Sequence, residues 1–315
     1  MHPNEPTLAR LSNPVLRYFL ATRPAFLSVT LFASLLGLSA AFASDVAVSV
    51  GLAAITLVFA LMAHAGINVL NDYYDALNGT DAINTTRIFP YTGGSRFIQN
   101  GVLTISETVL FGATLMGVVI VAGFMLARYS GPGLLAIGAL GLLVGWAYSA
   151  PPLRLNSRGI GEVCVALGFG LIVVGTDFVQ RSAFSSAPVL AAVSYALLVT
   201  NILYINQFPD RAADAAAGKR HWVVRLPVTQ ARLGYIVIGL AAYIWLAGAV
   251  IAGALPWTAL LALLAAPLSA KAARDLLRYA HEPGKLQPAI EATIAAASAH
   301  GALLAAGLVL RRVLA

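Results

Sequence analysis

Apolar runs of about 20 residues recur along this 315-residue chain, and they leave it few ways to fold. A segment of that length crosses hydrocarbon only if its backbone N–H and C=O groups are bonded internally. That restricts it to a helix or a closed barrel. Barrel strands read as short alternating segments, whereas these runs are long and continuous, so the expectation is an all-α polytopic membrane protein. Nine candidate transmembrane helices follow, at about 25–44, 47–71, 105–127, 131–150, 160–179, 187–206, 231–252, 255–273 and 290–311. The eighth is the least regular, being short, containing Pro267 and running into Lys271. With 59% hydrophobic and only 10% charged residues, the composition excludes a soluble enzyme with a large core.

The basic residues set an orientation. With the N-terminus in the cytoplasm, only Arg128, Arg181, Arg311 and Arg312 fall on the far side; every other Lys and Arg falls on the cytoplasmic side. The net charge of +7 is then a topology signal, and no nucleic acid is needed as a partner. Segment 1–24 reads as a cytoplasmic N-terminal stretch ahead of a single transmembrane domain, 25–312. The single cysteine, Cys164, lies inside the fifth span and excludes an internal disulfide framework. Two loops exceed the usual length, at about 72–104 and 207–230, and both lie on the cytoplasmic side. Each is expected to hold a short helix capping the bundle.

Two acidic motifs sit where spans two and six meet these loops: Asn68-x-x-x-Asp72-x-x-Asp75 and Asn206-x-x-x-Asp210-x-x-x-Asp214. The chain has only 13 acidic residues and places four of them here. Helical spacing puts each set on one face. Carboxylates at a helix C-terminus are disfavoured unless a cation offsets them. Mg²⁺ takes oxygen ligands and commonly combines one or two carboxylates with substrate phosphate, so two facing sets suit two ions gripping a diphosphate. Arg87, Arg96, Arg211, Lys219, Arg220 and Arg225 in the loops would neutralise phosphate. The Gly93-Gly94-Ser95-Arg96 turn offers backbone N–H groups to an anion. For any one loop arginine, orientation and solvation compete with substrate contact, and Asp81 also reads as a turn cap. The repeated Asn/Asp spacing hints at an internal duplication.

At these residues the chain resembles the UbiA-type superfamily of intramembrane aromatic prenyltransferases, and most of all its 1,4-dihydroxy-2-naphthoate branch in menaquinone synthesis. The narrower likeness rests on NDYYDALNGTD (71–81), YSAPPLRLNSRGIGEVCVALGFGLIVVGTDFVQ (148–180) and DRAADAAAGKRHWVVRLP (210–227). The last Asp of the first stretch lies six residues after the previous one, rather than four as in many relatives. Gly218 replaces the superfamily's third Asp of the last stretch, as in this branch. The pattern is broken at Asn206-Gln207-Phe208-Pro209, where Asn-Asn and a basic residue are common, and at the unmatched 89–97 loop.

The resemblance implies a nine-helix bundle in the bacterial inner membrane, with the site on its cytoplasmic face. Two Mg²⁺ ions would be held by Asp72, Asp75, Asp210 and Asp214 and would bind a polyprenyl diphosphate. Arg87, Arg96, Lys219 and Arg220 would assist, with Asn68 and Asn206 binding substrate. Loss of diphosphate gives an allylic cation, which an aromatic acceptor attacks through carbon. Tyr73, Tyr74, Tyr91 and Tyr148 are candidates to face that cation with ring electrons. The lipid tail would leave through the bundle wall towards the bilayer.

Other polar residues in the spans read as structural or secondary. His64 suits helix–helix bonding or orienting Asn68, and Asn201 and Tyr204 are candidates to line the cavity. Glu162 suits a helix N-terminus, Asp177 and Gln180 lie near the opposite face, and His300 reads as a core residue. A transporter would show broken helices and mid-membrane charges, which the one-sided acidic residues argue against. The signature of the CDP-alcohol phosphotransferases is absent. Soluble prenyl-chain synthases share paired Asp-rich motifs without lipid-facing helices, and a catalytically silent assembly protein is a further alternative.

Overall fold

Helix starts and stops in this chain follow its capping residues. Asn13 accepts from the Val15 and Leu16 N–H groups to open a first short helix, and Ser49 caps the start of the second long one. Thr104 and Glu107 form a reciprocal capping box. Gly79, at φ 79°, ends the helix that carries the first acidic motif. The computed structural model describes residues 4–314. Its α-helices are α1 (Pro14–Ala21), α2 (Pro24–Ala43), α3 (Val50–Asn78), α4 (Thr80–Ile83), α5 (Ile105–Ser130), α6 (Gly133–Ser149), α7 (Gly161–Arg181), α8 (Ser186–Ala216), α9 (Trp222–Arg225), α10 (Val228–Ile251), α11 (Ala266–Tyr279) and α12 (Gln287–Val313). Short 3₁₀ segments occupy Leu155–Ser157, Trp257–Ala265 and Pro283–Lys285.

Among the described residues seven helices, not nine, are long and apolar enough to cross a membrane: α2, α3, α5, α7, α8, α10 and α12. The fourth expected span is α6, whose 17 residues rise only about 25 Å, short of the roughly 30 Å hydrocarbon layer. The eighth is divided. Its apolar part is the 3₁₀ segment, and Pro267, which has no N–H to donate backwards, stands at the start of α11. Lys271, Arg274, Asp275 and Arg278 then make α11 amphipathic.

The expected loops begin too early, because α3 and α8 run on through their acidic motifs to Asn78 and Ala216. The short helices expected in those loops are α4 and α9. α8 is the central helix: 72% of the residues in its most apolar stretch are buried, against 11% in that of α3. It packs on α2, α7, α10 and α12, and their Val, Leu, Ile and Ala side chains form the largest core. α3, α5, α6 and α7 form the opposite wall. Several polar core groups bond across helices. Tyr195 donates to the Val29 carbonyl at 2.5 Å, and His300 pairs with Ser194 at 3.1 Å, in line with its core reading. Asp177 and Arg181 form an ion pair at 2.7 Å near the opposite end of the bundle.

Close helix approach depends on small residues. A Cβ on Gly37 of α2 would overlap the Val173 carbonyl oxygen of α7 and meet Thr176 Cβ at 2.8 Å. Gly51, near the start of α3, has open space around it. Thermal unfolding in detergent should therefore show Gly37→Val losing about 1–3 kcal/mol of stability, with Gly51→Ala neutral or slightly stabilising.

Candidate active site

The two acidic motifs meet at one end of the bundle because α3 and α8 both end there. Asp75, Asp81, Asp210 and Asp214 line a polar chamber of about 120 Å³, with Asn84, Lys219 and His221. Asp72 is 4% exposed and lies behind the 94–95 turn. Lys219 bridges the motifs, its Nζ 3.0 Å from Asp75 Oδ1 and 3.1 Å from Asp214 Oδ1. His221 Nε2 is 3.0 Å from the other Asp214 oxygen. Asn84 donates to Asp210 at 2.6 Å, and Asn71 and Asn78 donate to Asp75 at 3.3 and 3.1 Å. Arg23 stands 3.9 Å from Asp72 and donates to the Tyr91 carbonyl at 3.2 Å.

The glycine turn serves these carboxylates. The Gly93 N–H donates to Asp210 at 3.2 Å and the Ser95 N–H to Asp72 at 3.3 Å. Two of the N–H groups expected to face a bound anion, those of Gly93 and Ser95, are thus occupied by the protein's own acids. Gly93 and Gly94 have φ 74° and 72°, and a Cβ on Gly94 would overlap the Asp81 carboxylate.

Asp81 lies at the centre of the electrostatics. It is 3% exposed, and its Oδ2 has no hydrogen-bond partner. Burial, then Asp75 and Asp72, hold its carboxyl well above the usual carboxylate range. Burial would drive Lys219 towards its neutral form, but Asp75 and Asp214 outweigh it and hold the ammonium more firmly protonated than usual. Among the described residues no three carboxylate, imidazole or thiol groups form a ready-made metal cage. An excess of oxygen anions that do not close into a cage suits a hard cation that also takes ligands from substrate and water.

Beside the chamber lies an apolar cavity of about 610 Å³ between α3, α5, α6, α7 and α8. It runs from Asn71 to Thr56 on α3, about 22 Å at the helical rise. Arg23, Asn71, Tyr148, Leu203 and Asn206 line both spaces and form the neck between them.

The predicted residues divide accordingly. Asp75, Asp210, Asp214, Asn206, Lys219, Tyr91 and Tyr148 line the chamber, and Asp72 adjoins it. Asn68 lines the apolar cavity and bonds the Thr22 carbonyl at 3.1 Å. Arg87 is not a lining residue: it pairs with buried Glu5 at 2.6 Å. Arg96 is buried against the Asp81 carbonyl, and Arg220 is exposed on the surface. Tyr73 packs its ring on Tyr74 at 5.0 Å, and neither lines the chamber or the cavity. His64 bonds Thr30 at 2.7 Å, which is the helix–helix reading. Asn201 and Tyr204 bond the α10 carbonyls of Tyr235 and Ala231 and line neither space. Sequence reasoning missed Arg23, Asn71, Asn84, Gln207 and His221. His221 carried a signal, two residues beyond Lys219; Arg23 carried none, since its role depends on a left-handed turn (φ 59°) that brings it back over the motif.

Known proteins fit this arrangement. A model of the UbiA prenyltransferase family matches residues 30–288. The 1,4-dihydroxy-2-naphthoate octaprenyltransferase of Escherichia coli is 31% identical over 252 residues, covering 77% of this chain and 79% of that protein. The 2-carboxy-1,4-naphthoquinone phytyltransferase of Synechocystis is 27% identical over 235 residues, 73% of this chain and 72% of that one. A UbiA homologue from Archaeoglobus fulgidus, bound to DMAPP and Mg²⁺, has the same fold with a TM-score of 0.59 at 16% identity, over 91% of this chain and 99% of that one. An acidic chamber opening on a lipid-sized apolar cavity, together with these matches, identifies the chain as a prenyltransferase belonging to the UbiA family.

Proposed function

We propose that this enzyme transfers a polyprenyl group from polyprenyl diphosphate to 1,4-dihydroxy-2-naphthoate, a step of menaquinone synthesis. The observation that carries the reading is the neck. A polar, carboxylate-rich chamber and a long apolar cavity share lining residues, as a charged head joined to a hydrocarbon tail requires. The octaprenyltransferase similarity supports the acceptor. The phytyltransferase of Synechocystis marks the alternative, a related naphthalenoid acceptor with a different tail. By the distribution of basic residues, the chamber faces the cytoplasm.

Asp72, Asp75, Asp81, Asp210 and Asp214 are the oxygen donors that would hold Mg²⁺, one ion for each motif. Bound there, Mg²⁺ would neutralise the diphosphate and stabilise it as a leaving group. Lys219 and Arg23 add positive charge on the two sides of the chamber, and Asn206 offers an amide at the neck. When the donor's C–O bond breaks, diphosphate keeps the electron pair and the allylic carbon becomes cationic. Tyr148, which lines both spaces, would face that carbon with its ring. The apolar cavity keeps water from it. The ring carbon of the acceptor forms the new C–C bond, and carbon dioxide leaves from that carbon.

Asp72→Ala and Asp210→Ala should each abolish transfer in a radiolabelled polyprenyl diphosphate assay while the protein still elutes folded in detergent. EDTA should stop the wild type and Mg²⁺ restore it; turnover that survives EDTA would sink the metal assignment. Asp81→Asn removes a buried carboxylate whose Oδ2 has no partner. Without metal this variant should be more stable, by about 1–3 kcal/mol, and Mg²⁺ should raise its melting temperature less than it raises the wild type's. Parallel incubations with 1,4-dihydroxy-2-naphthoate and 4-hydroxybenzoate decide the acceptor: labelled product from the first alone is expected, and product from the second alone would overturn it.

A further inference from the structure

We propose that Gln207 recognises a hydroxyl group of the aromatic acceptor, with Glu162 as the positioning residue that sets its amide. The inference rests on the prenyl-transfer reading above. Gln207 lies on α8 between the two polar ends of the second motif, is 6% exposed, and lines the chamber. Its Nε2 donates to Glu162 Oε1, at the start of α7, at 3.0 Å. A carboxylate only accepts, so the amide nitrogen must face Glu162 and the amide oxygen must point elsewhere. That oxygen, Gln207 Oε1, is buried and has no hydrogen-bond partner.

A buried amide oxygen without a partner is costly, and it calls for a donor. No group that lines the chamber donates to it. Asp75, Asp210 and Asp214 are acceptors when ionised; Lys219 is taken by Asp75 and Asp214, and Arg23 by Asp72 and the Tyr91 carbonyl. The diphosphate is also unsuitable, because its oxygens accept and would repel the amide oxygen. A phenolic hydroxyl donates, is neutral, and belongs to the other substrate. Oε1 of Gln207 is thus suited to a hydroxyl of the acceptor and unsuited to the diphosphate.

The test uses the full chain in detergent or nanodiscs with Mg²⁺ and a polyprenyl diphosphate. The acceptor probes are 1,4-dihydroxy-2-naphthoate and its two mono-methyl ethers. Wild type should favour the dihydroxy compound over at least one ether. Gln207→Met, close in size but without the amide oxygen, should raise the acceptor KM roughly three- to tenfold. It should leave the KM for polyprenyl diphosphate unchanged and narrow the preference over that ether. Glu162→Gln, which frees the amide to turn, should narrow the same preference, and the double variant should add nothing further. An unchanged acceptor KM and preference in Gln207→Met would overturn the inference alone, and so would wild-type indifference to both ethers. A folded wild type that prenylates no hydroxylated aromatic would overturn both the inference and the proposed function.

Discussion

Five carboxylates held at one end of an apolar bundle dictate most of the polar architecture. Moving an ion out of water costs several kcal/mol even after relaxation, and the C-terminal ends of α3 and α8 add negative potential of their own. The molecule answers with fixed donors: the ammonium of Lys219, the amides of Asn71, Asn78 and Asn84, and the N–H groups of Gly93 and Ser95. Asn71 and Asn78 lie on α3 itself, whereas Lys219, Asn84, Gly93 and Ser95 each fix a piece of loop. The chain after α3 must fold under the helix ends to bring residues 93–95 to the acids. The chain after α8 must turn back at Gly218, φ 80°, to return Lys219.

These contacts also join the two halves of the bundle. Asn84 and Gly93, from the loop after the first motif, bond Asp210 of the second, and Thr86 donates to the Pro209 carbonyl at 2.6 Å. In the other direction Lys219, after the second motif, binds Asp75 of the first. Neither motif is completed by its own half. The N-terminal segment adds a further layer, with Glu5 accepting from Arg87 and Asn100, and Leu11 and Ala21 packed on Phe97, Val102 and Leu103. Arg87 is thereby drawn into holding the loop in place.

How far the sequence was legible follows from these contacts. Helical periodicity and charge scarcity picked out Asp72, Asp75, Asp210 and Asp214, because a carboxylate beside a membrane core has few structural excuses. Apolar length located seven spans but also counted α6 and the 257–265 segment, since a hydropathy window cannot see a helix ending early or winding as 3₁₀. In the sequence a cation near the chamber looks alike whether it lines the chamber, as Arg23 does, or supports the loop, as Arg87 and Arg96 do. Glu5, Asn84 and Arg23 depend on chain reversals that bring distant residues together, and no local spacing records those. The spacing of Asp81 also fits a turn cap; only its burial beside Asp72 and Asp75 shows the cost of placing it there.

The incompleteness of the pairing is as informative as the pairing. With Lys219 shared between two acids and Arg23 at 3.9 Å from a third, the chamber keeps more negative charge than its own cations balance, and Asp81 Oδ2 has no partner at all. A chamber built only for stability would have replaced such a carboxylate with an amide or an apolar group, which costs less to bury. Retaining it makes sense if a cation arrives with the substrate and the apo form bears the penalty. The neck then sets where the chemistry can occur. In an allylic diphosphate the bond that breaks joins the charged head to the first carbon of the tail. Here the change from carboxylates to hydrocarbon walls falls at Asn71, Tyr148 and Asn206. Head and tail of such a substrate would each lie in their preferred surroundings with that bond between these three side chains, so solvation would favour that alignment of the reacting carbon before any specific contact is made.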